Sequence, residues 1–164
     1  MAFKSGVMRE GIAAGLLGGT GVALWILGVD VLAGHALQTP AALGGVLIRV
    51  LGGVDDRSVL VNAALYTPVH FAAFAVIGII ASYLVDGSRR VPQMAVGLFL
   101  LFVVFEVGFY FVAIGLSQYN IMGTLAWYQV GAANLVGAAL MGTFLWRRHP
   151  EFAHGAKLAM GDRI

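Results

Sequence analysis

Residues 91–116 read VPQMAVGLFLLFVVFEVGFYFVAIGL, and Glu106 is their only charged residue. The hydrocarbon core of a bilayer is roughly 30 Å thick and requires about 20 apolar residues in a helix, so this stretch is long enough to cross a membrane. A charged residue at the centre of such a helix costs roughly 3 kcal/mol on insertion scales. Glu106 therefore needs a polar partner or a proton, and it is the first candidate for a functional residue.

The composition extends this conclusion to the whole chain. Of its 164 residues, 60% are hydrophobic and only 11% are charged, whereas about a quarter of the residues are charged in an average soluble domain. Three further apolar stretches, at residues 11–34, 58–85 and 123–146, also reach the length of a span. The sequence predicts an all-α integral membrane protein in which residues 1–164 form one four-helix transmembrane bundle.

The basic residues predict the orientation of the four spans. Arg49 and Arg57 lie on one side of them, and the other eight of the ten Lys and Arg residues lie on the opposite side. Because basic residues are enriched in cytoplasmic loops, this asymmetry predicts that both termini are cytoplasmic. The eight residues are Lys4, Arg9, Arg89, Arg90, Arg147, Arg148, Lys157 and Arg163.

The loop between the first two stretches contains a helix signal of its own. Thr39 is a suitable N-cap, Pro40 suits a first helical position, and residues 40–51 are mostly apolar. A dozen residues cannot cross a bilayer, so we predict a short interfacial or re-entrant helix on the outer mouth of the bundle. It could cover a site there as a lid, or it could simply bury an apolar loop.

Pro68 leaves the start of the second span open. The helix could begin near Pro68, where a missing N–H is harmless, or near Ser58 with Pro68 in its interior. In the second case Asn62, Tyr66 and His70 recur every four residues and share one polar face.

Counting residues from the cytoplasmic ends predicts a polar layer in the bundle. At a rise of about 1.5 Å per residue, Trp25, His70, Glu106 and Asn134 all lie about 20–25 Å from that end. Further polar residues lie above them, and the lower half of the bundle is almost wholly apolar. We therefore predict a cavity that is open outward and closed inward. Its candidate ligand-binding residues are His70, Glu106, Asn134, Trp25, Tyr66, Tyr110, Asp30 and Gln129.

Several chemistries suit His70 and Glu106. They could share a proton, they could be two ligands of a metal ion, or they could bind a quinone among nearby aromatic rings. The alternative is that these polar groups only satisfy one another within a packed bundle. Haem is disfavoured because bis-histidine ligation needs a second His at the depth of His70.

Other classes of site have no support in the sequence. The chain has no cysteine, which excludes disulfides and thiolate chemistry. The glycine-rich run from Gly18 to Gly21 lacks a preceding strand and a P-loop lysine, so we expect no nucleotide site. The basic residues lie at the ends of the apolar stretches and indicate topology, so we expect no nucleic-acid binding. No hydrolase or metalloprotease motif is present, so a non-enzymatic role is favoured over an enzymatic one.

Glycines point to close helix packing. Gly11 and Gly15 have the small-xxx-small spacing that lets two helix backbones approach each other. Their partner could be a helix of the same chain or a helix of another subunit.

Positions spread over nearly the whole chain carry a resemblance to known sequences. On these positions the chain resembles a group of small, uncharacterised four-span bacterial inner-membrane proteins. The resemblance implies a bacterial inner-membrane location, and it implies no activity and no cofactor. The positions are Arg9-Glu10-Gly11, Ala23-Leu24-Trp25, Val29-Asp30, Thr39-Pro40-Ala41, Tyr66-Thr67, His70-Phe71, Phe105-Glu106, Asn134, Met141-Gly142 and the run LWRRHP at 145–150.

Two functional hypotheses follow. In the first, the protein is a non-enzymatic subunit or self-associating bundle, surrounded by membrane lipids, that forms a homo-oligomer or part of a larger membrane complex. In the second, it binds a small ligand such as a quinone or a metal ion, or couples to protons, through the layer that contains His70 and Glu106.

Overall fold

The computed structural model describes residues 5–54, 56–88, 94–115 and 127–150, and all regular structure in these ranges is helical. The predicted all-α class is therefore confirmed for this part of the chain. Five helices follow one another within it: α1 (Ser5–Leu32), α2 (Gln38–Val50), α3 (Val59–Ser88), α4 (Met94–Gly115) and α5 (Trp127–Arg148).

Three of these helices can cross a bilayer by length and composition. They are α1, α3 and the segment Tyr128–Arg148 of α5, and they indicate a membrane protein. In α4 the corresponding apolar segment is Val96–Phe111, which is shorter than a span.

Parts of the sequence-based predictions lie outside the described residues. They include the predicted starts of the third and fourth spans, at Val91 and Gly123. They also include five of the basic residues that predict orientation: Lys4, Arg89, Arg90, Lys157 and Arg163.

The helix bounds differ from the predicted stretches at both ends of α1. The helix begins at Ser5 rather than at Gly11, and its first turns therefore include charged residues. One of them, Glu10, is largely buried, with its Oε1 2.9 Å from His149 Nε2 at the end of α5. The helix ends at Leu32, two residues early, and Gly34 follows with φ 82°. A left-handed glycine is a common end signal because it has no Cβ to clash.

The structure places Pro68 inside α3, which begins at Val59. Ser58 precedes the helix, and its Oγ accepts a hydrogen bond from the N–H of Val61 at 3.4 Å. Next to the proline, Thr67 Oγ1 donates to the carbonyl oxygen of Ala63 at 2.8 Å. Proline within a membrane helix is tolerated where neighbouring polar groups satisfy the backbone, and the helix continues to Ser88.

α1 packs antiparallel against both α3 and α5, through glycines on two of its faces. Gly11 and Gly15 lie directly against the backbone of α3, at Gly78 and Phe74 respectively. The small-xxx-small pair therefore mediates packing within the chain. On the other face, a Cβ at Gly137 of α5 would lie 3.1 Å from the Gly18 carbonyl oxygen.

The core has two levels. Near the end with Glu10 and His149, it consists of Ala14, Ala81, Val85 and Leu145. Further along the bundle, Val22, Phe74 and Ala133 form a second cluster.

α2 and α4 occupy different positions around this core. α2 packs along α3, and Gly44 lies against the Asn62 backbone. α4 contacts α3 and α5 more sparsely than α1 does, and Phe99, Val104 and Phe111 are exposed on it. Exposed apolar side chains are expected where helices face lipid, because lipid tails are as apolar as the side chains themselves.

Candidate functional site

A cavity of about 260 Å³ lies beneath the N-terminal half of α2. Leu24 and Thr67 belong to its lining and are themselves exposed, so the cavity opens to the outside of the helices. Every helix contributes to it, and most of the lining is aliphatic or aromatic. The main side chains are Val22, Ile26 and Leu27 of α1, Thr39, Pro40 and Leu43 of α2, Tyr66, Thr67, His70, Phe71 and Phe74 of α3, Phe105 and Phe109 of α4, and Val130, Ala133 and Asn134 of α5.

The end of α2 above the cavity is attached to α1 by a buried carboxylate. Asp30 is only 5% exposed. Its Oδ2 accepts the N–H of Thr39 at 2.8 Å, and its Oδ1 accepts the Thr39 hydroxyl at 2.7 Å. The helix itself begins at Gln38, and the preceding residue, Leu37, makes no side-chain cap. Thr39 is therefore not the N-cap that its sequence position suggests, because Asp30 supplies the capping carboxylate from α1.

His70 contributes the imidazole of the cavity wall. Its Nε2 lies 3.0 Å from the carbonyl oxygen of Gly19 on α1. A carbonyl oxygen can only accept, so the hydrogen is on Nε2. The ring also packs against aromatic neighbours, with centroid distances of 4.8 Å to Phe74 and 5.8 Å to Tyr66. The absence of a Cβ at Gly19 lets α3 approach there, since a Cβ would lie 3.1 Å from Phe74.

Glu106 lies behind the wall formed by Asn134. Asn134 Nδ2 donates to Glu106 Oε2 at 2.7 Å, and the hydroxyl of Tyr110, one turn further along α4, also donates to this carboxylate. Both α4 groups lie close to Gly131 of α5, where a Cβ would be 3.3 Å from Glu106 Oε1 and 3.8 Å from Tyr110 Oη. The carboxylate that the sequence singles out thus has neutral hydrogen-bond donors as partners.

Trp25 and Gln129 form a separate pair at a more exposed position. Trp25 Nε1 donates to Gln129 Oε1 at 3.1 Å and so links α1 to α5.

The eight candidate residues therefore divide into groups. Tyr66, His70 and Asn134 line the cavity. Asp30 lies behind Thr39, while Glu106 and Tyr110 lie behind Asn134. Trp25 and Gln129 bond to each other. His70 and Glu106 have different hydrogen-bond partners: His70 bonds to the Gly19 carbonyl oxygen, and Glu106 accepts from the Asn134 amide.

Sequence reasoning did not identify all the cavity residues. Thr67 lines the cavity, and the Gly19 carbonyl orients His70. A threonine in a membrane helix usually bonds its own backbone, and a backbone carbonyl has no residue signal, so nothing in the sequence distinguishes either group.

Metal ligation has limited support in the geometry. Among the described residues, no three His, Cys, Asp or Glu side chains come together in a way that could hold a metal ion. The cavity lining itself offers hydrogen-bonding groups at Tyr66, His70 and Asn134 and aromatic rings for contact.

A second cavity, of about 220 Å³, lies between α3, α4 and α5. Its lining is almost entirely apolar and includes Leu98, Leu101 and Leu145. Phe74, Phe105 and Asn134 line both cavities, so the two adjoin at that level.

No protein-family model matches this chain. Searches of curated proteins and of solved structures likewise give no match.

The Glu106–Asn134 hydrogen bond should contribute measurably to stability. We expect a double-mutant cycle of Glu106→Ala and Asn134→Ala to give a coupling energy of about 1–2 kcal/mol, near the upper end for bonds within membrane helices. Unfolding of the purified protein by SDS in mixed micelles measures it. The same cycle at Trp25 and Gln129 is the control and should give about 0.5 kcal/mol, near the average for hydrogen bonds within membrane helices, because that bond joins two neutral groups and is longer, at 3.1 Å. Equal coupling energies would show that the Glu106–Asn134 bond contributes no more to stability than the Trp25–Gln129 bond.

Proposed function

We propose that this protein binds a small, flat six-membered ring compound of the quinone and quinol type in the cavity beneath α2. The observation that carries the proposal is the combination of aromatic walls with a few polar side chains, Tyr66, His70 and Asn134, in one cavity. Small-molecule sites are typically apolar concavities in which a few polar groups fix the ligand's orientation.

The volume of the cavity suits one substituted ring. An apolar cavity of about 150 Å³ holds benzene, and sites for larger ligands begin at about 300 Å³. A cavity of about 260 Å³ fits a ring with several small substituents. Phe71, Phe74, Phe105 and Phe109 offer ring faces and edges for such a ligand.

We further propose that α4 is the fourth span of a bundle in the bacterial inner membrane. The helix has 22 residues, which at about 1.5 Å per residue is about 33 Å, comparable to the hydrocarbon core. With both termini cytoplasmic, α2 lies at the outer face as an interfacial cover of the cavity. The bundle interior then contains the polar groups, and lipids surround its apolar exterior.

A second candidate function is that of a structural subunit in a homo-oligomer or a larger membrane complex. The observation that favours it is the outer face of α4, where Phe99, Val104 and Phe111 are exposed and contacts with the rest of the chain are sparse. This function requires no occupant in the cavity.

Ligand titration tests the first candidate against the second. We expect saturable binding of tetramethyl-1,4-benzoquinone or of its hydroquinone, one molecule per chain, by calorimetry on protein in nanodiscs with empty nanodiscs subtracted. His70→Leu should weaken this binding at least tenfold, because it removes the imidazole from the cavity wall.

His35→Leu is the matched control. His35 is exposed in the turn between α1 and α2, outside the cavity, and its substitution should leave the affinity within about twofold. Binding of neither form, or equal losses in the two variants, would reject the ligand site and favour the structural subunit.

A further inference from the structure

The two threonine hydroxyls in the cavity wall have already used their hydrogens within the protein. Thr39 Oγ1 donates to Asp30 Oδ1 at 2.7 Å, and Thr67 Oγ1 donates to the Ala63 carbonyl oxygen at 2.8 Å. A hydroxyl has one hydrogen and two lone pairs. Any further hydrogen bond to either threonine oxygen, including one from a ligand, can therefore only be accepted.

The two nitrogen-containing side chains of the lining, His70 and Asn134, also donate a hydrogen within the protein. His70 directs its Nε2 hydrogen to the Gly19 carbonyl oxygen, so in the neutral ring Nδ1 has a free lone pair. Asn134 donates one of its two amide hydrogens to the Glu106 carboxylate, so its amide keeps a second hydrogen as well as an acceptor oxygen. The Asn134 carbonyl oxygen is thereby turned away from Glu106.

Tyr66 completes the polar lining. Its hydroxyl can accept as readily as it donates, so it adapts to whichever group a ligand brings. Acceptors therefore outnumber donors in the polar lining, because Thr39, Thr67 and His70 have used their hydrogens within the protein.

From this arrangement we infer that the cavity selects a hydrogen-bond donor: a ring that carries a hydroxyl group, such as a phenol or hydroquinone, in preference to a carbonyl compound such as a quinone. The inference rests on the proposed function and specifies its ligand class. At Thr39, Thr67 and His70 a carbonyl oxygen would meet lone pairs without a hydrogen between them, and only Tyr66 and Asn134 could donate to it. Sites built to bond a ligand's hydroxyl discriminate against analogues that lack it, because the buried polar groups are then left unpaired.

The test compares three probes that share one skeleton: 4-butylphenol, 4-butylanisole and butylbenzene. The phenol donates a hydrogen bond, the methyl ether only accepts one, and the hydrocarbon does neither. We expect the phenol to bind three- to tenfold more tightly than the ether, which corresponds to one net hydrogen bond. Under anaerobic conditions, tetramethylhydroquinone should bind more tightly than tetramethyl-1,4-benzoquinone by a similar factor.

Two threonine variants locate the effect in the cavity. Thr67→Val removes an acceptor from the lining and should reduce the preference for phenol over ether. Thr20→Val is the matched control, because Thr20 Oγ1 makes the same kind of bond to its own helix, to the Leu16 carbonyl oxygen at 2.7 Å, and does not line the cavity.

The failures of the inference and of the proposed function are distinguishable. Binding of all three probes with equal affinity, or tighter binding of the ether, would overturn the preference for donors while leaving a ring-binding cavity. Absence of saturable binding for every probe would overturn the cavity's function and the inference with it.

Discussion

Gly15→Ala should destabilise the bundle by about 3 kcal/mol, at the upper end of the cost of overpacking a core. Gly15 lies on the face of α1 that meets α3, and the new Cβ would collide with the backbone carbonyl of Phe74. A flexible side chain could turn aside, but a helix backbone can respond only by moving the helix. Because Phe74 also contacts the His70 ring, a shift of α3 should disturb the cavity as well. Unfolding in SDS mixed micelles measures the loss.

Gly28→Ala is the control for this substitution. Gly28 lies in the same helix, and a Cβ there meets no atom within 4 Å. Its replacement should be neutral or stabilise by up to about 1 kcal/mol, because alanine favours a helix over glycine. Equal losses in the two variants would contradict close packing at Gly15. If Gly15→Ala changed only the oligomeric state, the glycine face would belong to a contact between subunits instead.

Asp30→Ala should release the N-terminal end of α2 and open the cavity beneath it. The substitution removes both hydrogen bonds to Thr39, and bonds to a charged group contribute about 1.5–3 kcal/mol each. The adjacent Leu37 has φ 67°, a left-handed conformation that costs an L-residue roughly 1–2 kcal/mol. Without Asp30, relaxation of Leu37 favours detachment of the helix end, and we expect the α2 lining of the cavity to become accessible.

Thiol labelling measures this opening directly. The chain has no cysteine, so a single Leu43→Cys substitution places the only thiol in the cavity lining of α2. Adding Asp30→Ala should accelerate its reaction with a water-soluble maleimide at least tenfold. Thr39→Val, which keeps the backbone hydrogen bond, should give a smaller increase.

Asp56→Ala serves as the matched aspartate control. The Asp56 side chain is 81% exposed, and its nearest cation, Arg57, is 3.9 Å away, so its removal should leave the labelling rate unchanged. An Asp30→Ala rate equal to that of the control would show that α2 stays in place without the carboxylate.

Some helices of this protein are predictable from the sequence in more detail than others. The apolar length of α1 and α3 was readable because the thickness of a bilayer imposes it on any spanning helix. The short helix after Thr39 was also predicted, although its first residue is Gln38 and its capping group comes from Asp30, nine residues before Thr39. Local signals predict that a helix exists more reliably than they predict its cap, since a cap can come from another element.

At the candidate site, the sequence predicts the depth of a polar side chain but not the direction in which it points. Counting residues along antiparallel helices selects Trp25, His70, Glu106 and Asn134, of which His70 and Asn134 line the cavity. Depth along a helix follows from residue number, whereas direction around its axis depends on how the helices pack. Glu106 lies behind Asn134 rather than in the cavity wall.

By itself, the sequence determined that this is a helical membrane protein with polar groups concentrated in one part of an apolar chain, because hydrophobic length and charge are properties of local composition. Only the tertiary structure decided which of those groups meet. The Gly19 carbonyl oxygen orients His70, Asp30 holds α2, and Gly11 and Gly15 pack against α3 of the same chain. Each of these contacts depends on the rotation and approach of two helices, which packing sets and no single segment encodes.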